Sequence, residues 1–359
     1  MKKSYLRSAA MAAAALLALS VLSACGSDKS DKGGGGNSAS GKIAFLMPDR
    51  ASTRYEQQDR PLFEAKVKDL CSACSVVYQN ADSDPAKQQQ QADSAMAQGV
   101  KAIVLDAVDS SAAAAIVNNA RSQGIPLITY DRPITDVAAD YYVSFDNEAI
   151  GASIAKSLVD KLKADNAKGG ILMVNGSPTD KAAGLIKKGA ESSVKDSGFD
   201  VLASFDTPEW NPQKAQDWVT GQITQFGDKI VGIVAANDGT GGGSIAALKA
   251  AGVDPIPPVT GNDAEVAAIQ RIIAGDQYNT ISKPIRIVAE ATAEVAVKFV
   301  KGEKPKGKTT LYNTPSELFT PEVVTMDNLK EVIIDGGIYK VSEICTAEYK
   351  TACSKAGIK

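Results

Sequence analysis

The chain has 359 residues, of which 44% are hydrophobic, with a formal net charge of -3 and no histidine. This length is enough for one large core or two of ordinary size. The acidic balance argues against nucleic acid as a partner, because phosphate binding requires a concentrated basic surface. The lack of histidine excludes histidine-based triads, histidine metal sites and imidazole acid–base chemistry.

The N-terminus has the pattern of a targeting segment. A basic start, with Lys2, Lys3 and Arg7, precedes the apolar run 11–24, which is too short to span a bilayer as a permanent helix. The run ends in Leu-Ser-Ala-Cys, so we predict a lipoprotein signal peptide over 1–24 and a lipidated Cys25. A plain signal peptide with an incidental cysteine is the alternative. The Gly- and Ser-rich stretch 25–41 predicts a flexible linker, which holds the domain at the extracytoplasmic face of the cell membrane.

The remaining four cysteines fit an oxidising compartment. Cys71 and Cys74 form a C-x-x-C at the end of a predicted helix, where the helix dipole disfavours a thiolate. A structural disulfide is therefore favoured over a redox pair. Cys345 and Cys353 would lie about 12 Å apart on one straight helix, beyond the roughly 7 Å limit between bridged Cα atoms, so their pairing requires a turn. The crossed pairing stays open.

Short apolar runs alternate with longer segments of helical period from Lys42 onward. Strands are predicted at 42–48, 75–81, 101–108 and 125–133, with helices at 60–70, 84–99 and 111–124. A second series follows, with helices at 148–165, 180–198, 211–226 and 241–252 and strands at 169–177, 201–205 and 229–238. This order predicts an α/β fold of two doubly wound parallel-sheet lobes.

Polar residues stand where the predicted strands give way to loops, which is where open parallel sheets bind ligands. They are Asp131, Arg132, Asp180, Asn237, Asp238, Asp263 and Lys283. Each Asp or Asn alone fits a helix cap or a turn, but caps do not need Arg132 and Lys283 among the carboxylates. Interleaved donors and acceptors suit the hydroxyl groups of a neutral sugar. Tyr55 and Trp210, in predicted loops, are candidates to cover the sugar ring, whereas Trp218 is expected in the core.

The sequence contains no complete motif for nucleotide binding or catalysis. The sequence Gly-Thr-Gly-Gly-Gly-Ser after Asp238 has Ser244 where a dinucleotide fingerprint needs its third glycine, and no nucleotide-binding P-loop motif occurs. A glycosidase would need a defined separation of two carboxylates, which the sequence does not provide. We therefore expect a binding protein rather than an enzyme, with no cofactor and no metal.

Several motifs carry a resemblance to a known family. They are 128–133, 141–151, 174–180, 234–252, 257–284 and 332–340. In this order, from Lys42 to about Lys340, the chain resembles the periplasmic sugar-binding proteins of ABC transporters with the type I fold, in the group that binds xylose or several monosaccharides. The resemblance implies a monosaccharide ligand, an ABC permease with its cytoplasmic ATPase as partner, and a monomer.

The resemblance also implies roles for individual residues. The implied sugar contacts are Arg54, Tyr55, Asp131, Arg132, Asp180, Trp210, Asn237, Asp263 and Lys283, with Arg50 as the alternative to Arg54. The chain departs from the family at Lys181 and Ala182, where asparagines are frequent, and at Tyr55, where tryptophan is usual. These departures leave the identity of the sugar open.

The family has discontinuous lobes joined by a hinge of three crossings. For this chain it implies a first lobe of 42–146 and 283–313, a second lobe of 147–282 and 314–344, and a C-terminal tail of 345–359. An alternative function on the same fold is a sensory receptor for a sugar or a furanosyl signal, coupled to a sensor kinase or a chemoreceptor.

Overall fold

A computed structural model describes residues 40–358, and the predictions for the signal peptide, Cys25 and the linker up to residue 39 lie outside this range. The strands are β1 (Lys42–Met47), β2 (Ser75–Asn80), β3 (Ala102–Leu105), β4 (Leu127–Tyr130), β5 (Tyr141–Phe145), β6 (Gly170–Asn175), β7 (Asp200–Asp206), β8 (Ile230–Ala235), β9 (Asn279–Ser282), β10 (Thr309–Leu311), β11 (Thr314–Phe319) and β12 (Glu322–Thr325). The helices are α1 (Arg60–Leu70), α2 (Pro85–Ala97), α3 (Ala114–Ser122), α4 (Asn147–Ala164), α5 (Lys181–Val194), α6 (Pro212–Phe226), α7 (Asp238–Ala250), α8 (Val266–Ala274), α9 (Ile285–Val300), α10 (Val341–Ile344) and α11 (Lys350–Lys355). Within the described range, none of these helices has the length and apolar character needed to cross a membrane.

The first lobe is built on a seven-stranded sheet in the order β10-β11-β5-β4-β3-β1-β2, parallel except for β10. Strand β1 is apolar and buried from Ile43 to Met47 because both faces of the sheet are covered. Phe45 packs on the side of α1 and α9, while its neighbour Leu46 packs on the side of α2 and α3. The predicted doubly wound arrangement is confirmed for this lobe.

The second lobe has a parallel sheet in the order β7-β6-β8. The sheet continues through Val259, which bridges to Ile233 of β8 and accepts a hydrogen bond of 2.9 Å from the amide of Tyr278. Beyond it lies the antiparallel pair β9 and β12. Residues on alternate sides of β6 pack against α4 and α5 or against α6 and α7, so helices cover both faces here too.

The chain passes between the lobes after β5, after β9 and after β11. The predicted return to the second lobe at Thr314 is wrong, because β11 pairs in parallel with β5 of the first sheet. The boundary therefore lies between Phe319 and Glu322. Strands β10 and β11 form a hairpin, and β11 adds to the sheet beside β5. Both strands are short, and their residue patterns do not indicate which strand they pair with.

Two disulfides are present, Cys71–Cys74 at the end of α1 and Cys345–Cys353 in the tail, with Cα atoms 5.3 and 5.9 Å apart. The tail reverses between α10 and α11, as its pairing requires. Trp218 stacks on Phe205 with ring centroids 5.3 Å apart, in the packing role expected for it.

Candidate functional site

A cleft lies where the carboxyl ends of both sheets face each other. It is lined by Ser52, Arg54, Tyr55, Asp131, Arg132, Asn147, Asp180, Ala182, Ile186, Trp210, Asn237, Asn262, Asp263 and Lys283. All nine residues predicted for the site belong to this set. The structure therefore brings together strand-end loops that are far apart in sequence.

The first charged group, the Arg54 cluster, comprises Arg54, Asp59, Asp131, Asp263 and Lys283. The Arg54 guanidinium lies 3.1 Å from Asp131 and 3.4 Å from Asp263, so it links the two lobes. Lys283 lies 2.7 Å from Asp263 and 3.8 Å from Asp131. Burial alone would raise the pKa of Asp131, but Arg54 and Lys283 outweigh it and hold that pKa below its ordinary value. The Asp131 carboxylate thus faces the cavity as a charged acceptor.

Asp59 supports Arg54 from behind, at the end of the π-helical turn Tyr55–Asp59. It lies 3.2 Å from the Arg54 guanidinium and accepts a hydrogen bond from the hydroxyl of Tyr130. Burial raises the pKa of Asp59 to about 6, although Arg54 opposes the shift. This pair fixes the direction in which the guanidinium points.

The second charged group, the Arg132 cluster, comprises Arg132, Asp49, Asp106 and Asp180. The Arg132 guanidinium lies 2.7 Å from Asp49, 3.4 Å from Asp106 and 3.2 Å from Asp180, which belongs to the opposite lobe. Burial raises the pKa of Asp106 well above its ordinary value and also raises that of Asp180, despite the nearby Arg132. One cation here serves three carboxylates, so their charge is only partly balanced.

Two aromatic side chains complete the walls. The Tyr55 hydroxyl accepts a hydrogen bond of 3.1 Å from Arg132, and the Arg54 guanidinium lies 5.0 Å from the centre of the Tyr55 ring. Trp210 donates from its indole nitrogen to Asp180 over 3.0 Å. A Cβ atom at Gly176 would lie 2.1 Å from the Trp210 ring, so only glycine leaves room for the ring in this position.

Several site residues also have a local structural role. Asp180 caps α5 by accepting from the amide of Ala182 over 2.7 Å, and Asn237 caps α7 by accepting from the amide of Thr240 over 2.9 Å. The cap interpretation is therefore confirmed for these two residues, which also line the cleft. Asp263 is different, because the N-cap of α8 is Glu265 and the Asp263 side chain pairs only with cations among the described residues.

Backbone strain concentrates in the same loops. Asp131, Trp210 and Asp263 have φ angles of 58°, 54° and 102°, in the left-handed region that non-glycine residues rarely adopt. Such conformations cost of order 1–3 kcal/mol each and persist only where the surroundings impose them. With these backbone conformations, the side chains of Asp131, Trp210 and Asp263 all face one cavity.

Direct hydrogen bonds also join the lobes beside the cavity. The Ser110 amide donates to the Thr179 carbonyl over 3.0 Å, and the Thr53 amide donates to the Glu265 carboxylate over 2.8 Å. Both contacts involve backbone groups of the first lobe. The closed arrangement is thus held by more than the cavity side chains.

Sequence reasoning missed part of the site. Asn262, Asn147 and Ser52 supply further polar groups, and Ile186 forms an apolar strip on α5 with Ala182, which was already singled out from the sequence. The Oδ1 atom of Asn262 is buried and has no hydrogen-bond partner among residues 40–358. The position of Asn262 next to Asp263 in the same loop could have predicted its place in the site.

The alternative at Arg50 is resolved by its position. The Arg50 side chain is 61% exposed and pairs with Asp82 at 2.6 Å, away from the lining of the cleft. Arg54 is the arginine of this loop that enters the cavity. Of the two departures noted on α5, Ala182 lines the cleft and Lys181 does not.

The charges of the lining balance. Three cations, Arg54, Arg132 and Lys283, stand against three carboxylates, Asp131, Asp180 and Asp263. Together with the amide side chains they offer both donors and acceptors, while the two aromatic rings offer flat apolar faces. This arrangement suits a small neutral ligand rich in hydroxyl groups rather than an anion. In the described part of the chain there is no cluster of acidic, histidine or cysteine side chains able to hold a metal ion.

Comparisons with known proteins agree with this geometry. A family model described as periplasmic binding protein domain matches residues 43–304. The D-xylose-binding periplasmic protein of Escherichia coli (strain K12) is 35% identical over 311 residues, which cover 84% of this chain and 92% of that protein. The multiple sugar-binding periplasmic receptor of Rhizobium radiobacter is 31% identical over 330 residues, covering 85% of this chain and 92% of that protein.

A solved structure has the same architecture. It is an ABC transporter solute-binding protein from Clostridium phytofermentans with bound β-D-glucose, similar to this chain with a TM-score of 0.77 and 28% identity. The match covers 84% of this chain and 99% of that one.

Proposed function

The chain belongs to the periplasmic binding protein family, near its xylose-binding group, and from this premise we propose that it binds one monosaccharide, xylose or a related pentose or hexose, between its lobes and delivers it to the permease of an ABC sugar importer. It is a transport-type binding protein, not an enzyme. The relatives do not favour the sensory alternative, and we do not propose it.

The observation that carries this proposal is the charge-balanced lining. A phosphorylated or anionic ligand would need a surplus of cations, whereas three carboxylates face three cations in this cavity. Hydroxyl groups can both donate to the carboxylates and accept from Arg54, Arg132 and Lys283. A monosaccharide also has C–H faces that fit against the rings of Tyr55 and Trp210.

We propose that residues from both lobes contact the sugar. Arg54, Tyr55, Asp131, Arg132 and Lys283 act from the first lobe and the hinge. Asp180, Trp210, Asn237 and Asp263 act from the second. A ligand that touches both sets favours the closed form over an open one by the difference in its affinity for the two. The permease would then recognise the closed form.

We also propose that lipid on Cys25 anchors the protein at the extracytoplasmic face of the membrane, as a monomer. The support is the Leu-Ser-Ala-Cys pattern and the Gly-rich stretch that follows it. Cys25→Ser should release the protein into the medium or leave the signal peptide uncleaved. A processed Cys25→Ser protein that stays at the membrane would contradict the anchor.

The ligand is tested by thermal unfolding of the domain from Gly41 with xylose, arabinose, ribose, glucose, galactose and a furanosyl signal molecule. A sugar at about 100 times its dissociation constant stabilises the folded state by roughly 2.7 kcal/mol. With an unfolding entropy of about 2.1 cal/mol/K per residue, this corresponds to a rise in melting temperature of about 4 °C for the domain from Gly41. The exposed-site variant Arg50→Met should respond like the wild type.

A rise with one or a few monosaccharides would identify the ligand. Cooperative unfolding at an unchanged temperature with every monosaccharide would refute the proposal.

A further inference from the structure

The loop Gly261–Glu265 brings two residues to the cavity and one across the cleft. Asn262 and Asp263 line the cavity, and Glu265 accepts the hydrogen bond from Thr53 of the other lobe. Two consecutive residues of this loop, Asp263 and Ala264, have φ angles of 102° and 50°. A loop in this conformation needs external groups to hold it.

The groups that hold this loop include Asp238, a buried carboxylate that does not line the cavity. Asp238, 1% exposed, accepts from the Glu265 amide over 2.9 Å and from the Thr280 hydroxyl over 2.9 Å. The Thr280 hydroxyl in turn accepts from the Ala264 amide over 3.1 Å. The Oδ2 atom of Asp238 therefore holds two successive loop amides, one directly and one through Thr280.

The other oxygen of Asp238 is fixed in the same way. Its Oδ1 atom accepts from the Gln277 side chain over 2.9 Å, and Gln277 is itself bonded by Arg271 over 2.8 Å. A Cβ atom at Gly261 would lie 2.0 Å from Oδ1, so the carboxylate packs directly against the start of the loop. Asp238 contacts the loop at Gly261, at Ala264 through Thr280, and at Glu265.

We propose that Asp238 is a positioning residue for the ligand: its carboxylate holds the loop Gly261–Glu265 in the strained conformation that presents Asp263 to the sugar and Glu265 to Thr53. The identity of the ligand rests on the proposed function, but the hold on the loop does not. Asp238 touches no ligand in this scheme and acts only through the loop.

The test uses the full-length protein and two readouts. The first is hydrogen exchange at the Ala264 and Glu265 amides without ligand, and the second is affinity for D-xylose and D-glucose by calorimetry. Asp238→Ala should speed exchange at both amides, and Thr280→Val should speed it at Ala264. Each substitution should weaken sugar binding about 10- to 100-fold, equivalent to about 1.4–2.8 kcal/mol. Thr280→Ser, which keeps the hydroxyl, should stay within about threefold of the wild type in both.

A double-mutant cycle separates positioning from a general loss of stability. Because Asp238 acts through Asp263, Asp238→Ala should weaken binding much less in a protein that already carries Asp263→Ala. Fully additive losses would overturn the proposal.

The remaining outcomes are also decisive. Unchanged exchange at Ala264 in Thr280→Val would overturn the proposal even if Asp238→Ala failed to fold. If the wild type bound neither sugar nor any other monosaccharide, the proposed function would fail, and the exchange result would still decide the role of Asp238.

Discussion

The Arg54 cluster and the Arg132 cluster look alike but differ in charge balance. Each has a buried arginine that reaches carboxylates of both lobes. The Arg54 cluster adds Lys283, so two cations face three carboxylates, whereas Arg132 faces three carboxylates alone. The pKa of Asp131 in the first cluster is lowered, while burial raises the pKa of Asp106 in the second.

The lining of the cavity is neutral in formal charge, but its two ends differ in the number of cations that face their carboxylates. At the Arg54 end, Arg54 and Lys283 lower the pKa of Asp131 and so favour its charged form. At the Arg132 end, Asp49 and Asp106 lie behind the lining, and the buried carboxylate of Asp106 has no hydrogen-bond partner within the described range. Four tests, in order of expected effect, examine this contrast between the two ends.

The largest effect is expected from removing the single cation of the Arg132 cluster. Arg132→Met leaves Asp49, Asp106 and Asp180 without a cation within ion-pair distance in the described structure. Breaking a buried ion pair in this way should lower the free energy of unfolding by about 3–5 kcal/mol. Arg54→Met should cost less, because Lys283 still pairs with Asp263. Denaturant unfolding of both variants, with exposed Arg50→Met as control, makes the comparison. Equal losses would remove the distinction between the clusters.

The second effect concerns binding at the Arg54 end. Asp263→Ala removes the carboxylate that pairs with Arg54 and Lys283 across the lobes. Loss of one partner of a buried charge pair should cost about 2–5 kcal/mol of sugar affinity, a loss of about 30-fold or more. The domain should still unfold cooperatively, since Asp131 remains beside both cations. Calorimetry at matched temperature measures this, and an unchanged dissociation constant would show that Asp263 does not contact the sugar.

A third test compares how the contributions of Asp106 and Asp131 to stability change with pH. Asp106 has a raised pKa in the folded state, so its contribution to stability is present at low pH and is lost as pH rises through that pKa. Asp131 has a lowered pKa, so its contribution is present above about pH 4 and is lost as pH falls.

Asp106→Asn should therefore gain stability relative to the wild type as pH rises from 5 to 8. Asp131→Asn should lose more at pH 7 than at pH 3. Unfolding curves across this range measure both trends, and parallel profiles for the two variants would contradict the assignment.

The smallest effect is expected at the aromatic wall beside Asp180. Gly176→Ala places a methyl group where the Trp210 ring lies and should shift that ring away from Asp180. We expect roughly tenfold weaker sugar binding, equivalent to loss of about one hydrogen bond to a charged group. Tryptophan fluorescence reports the movement. Gly184→Ala on α5, with open space around its Cβ position, is the matched control and should leave affinity unchanged.

Much of the fold and the site was predictable because the signals are local. Alternating apolar runs gave the parallel strands, and the rule that ligands bind at strand ends gave Asp131, Asp180 and Asn237. Arg54 came from the resemblance to the family, because no residue pattern separated it from Arg50 in the same loop.

The missed parts depend on contacts distant in sequence. Strand β11 has no pattern that reveals its partner β5, so the lobe boundary was placed at Thr314. Asp106 stood inside a predicted strand, and Asp59 lies on a π-helical turn that shows no period of its own. Their pairing with Arg132 and Arg54 appears only once the strands are assembled.

The hydrogen bond from the Ser110 amide to the Thr179 carbonyl has a consequence for how such a protein can change over generations. Both groups belong to the backbone, so replacing side chains in the cavity removes neither of them. One link between the lobes is therefore independent of the side chains that line the cavity. Replacing cavity residues such as Ala182 or Tyr55 would alter contacts with a ligand and leave this backbone link between the lobes in place.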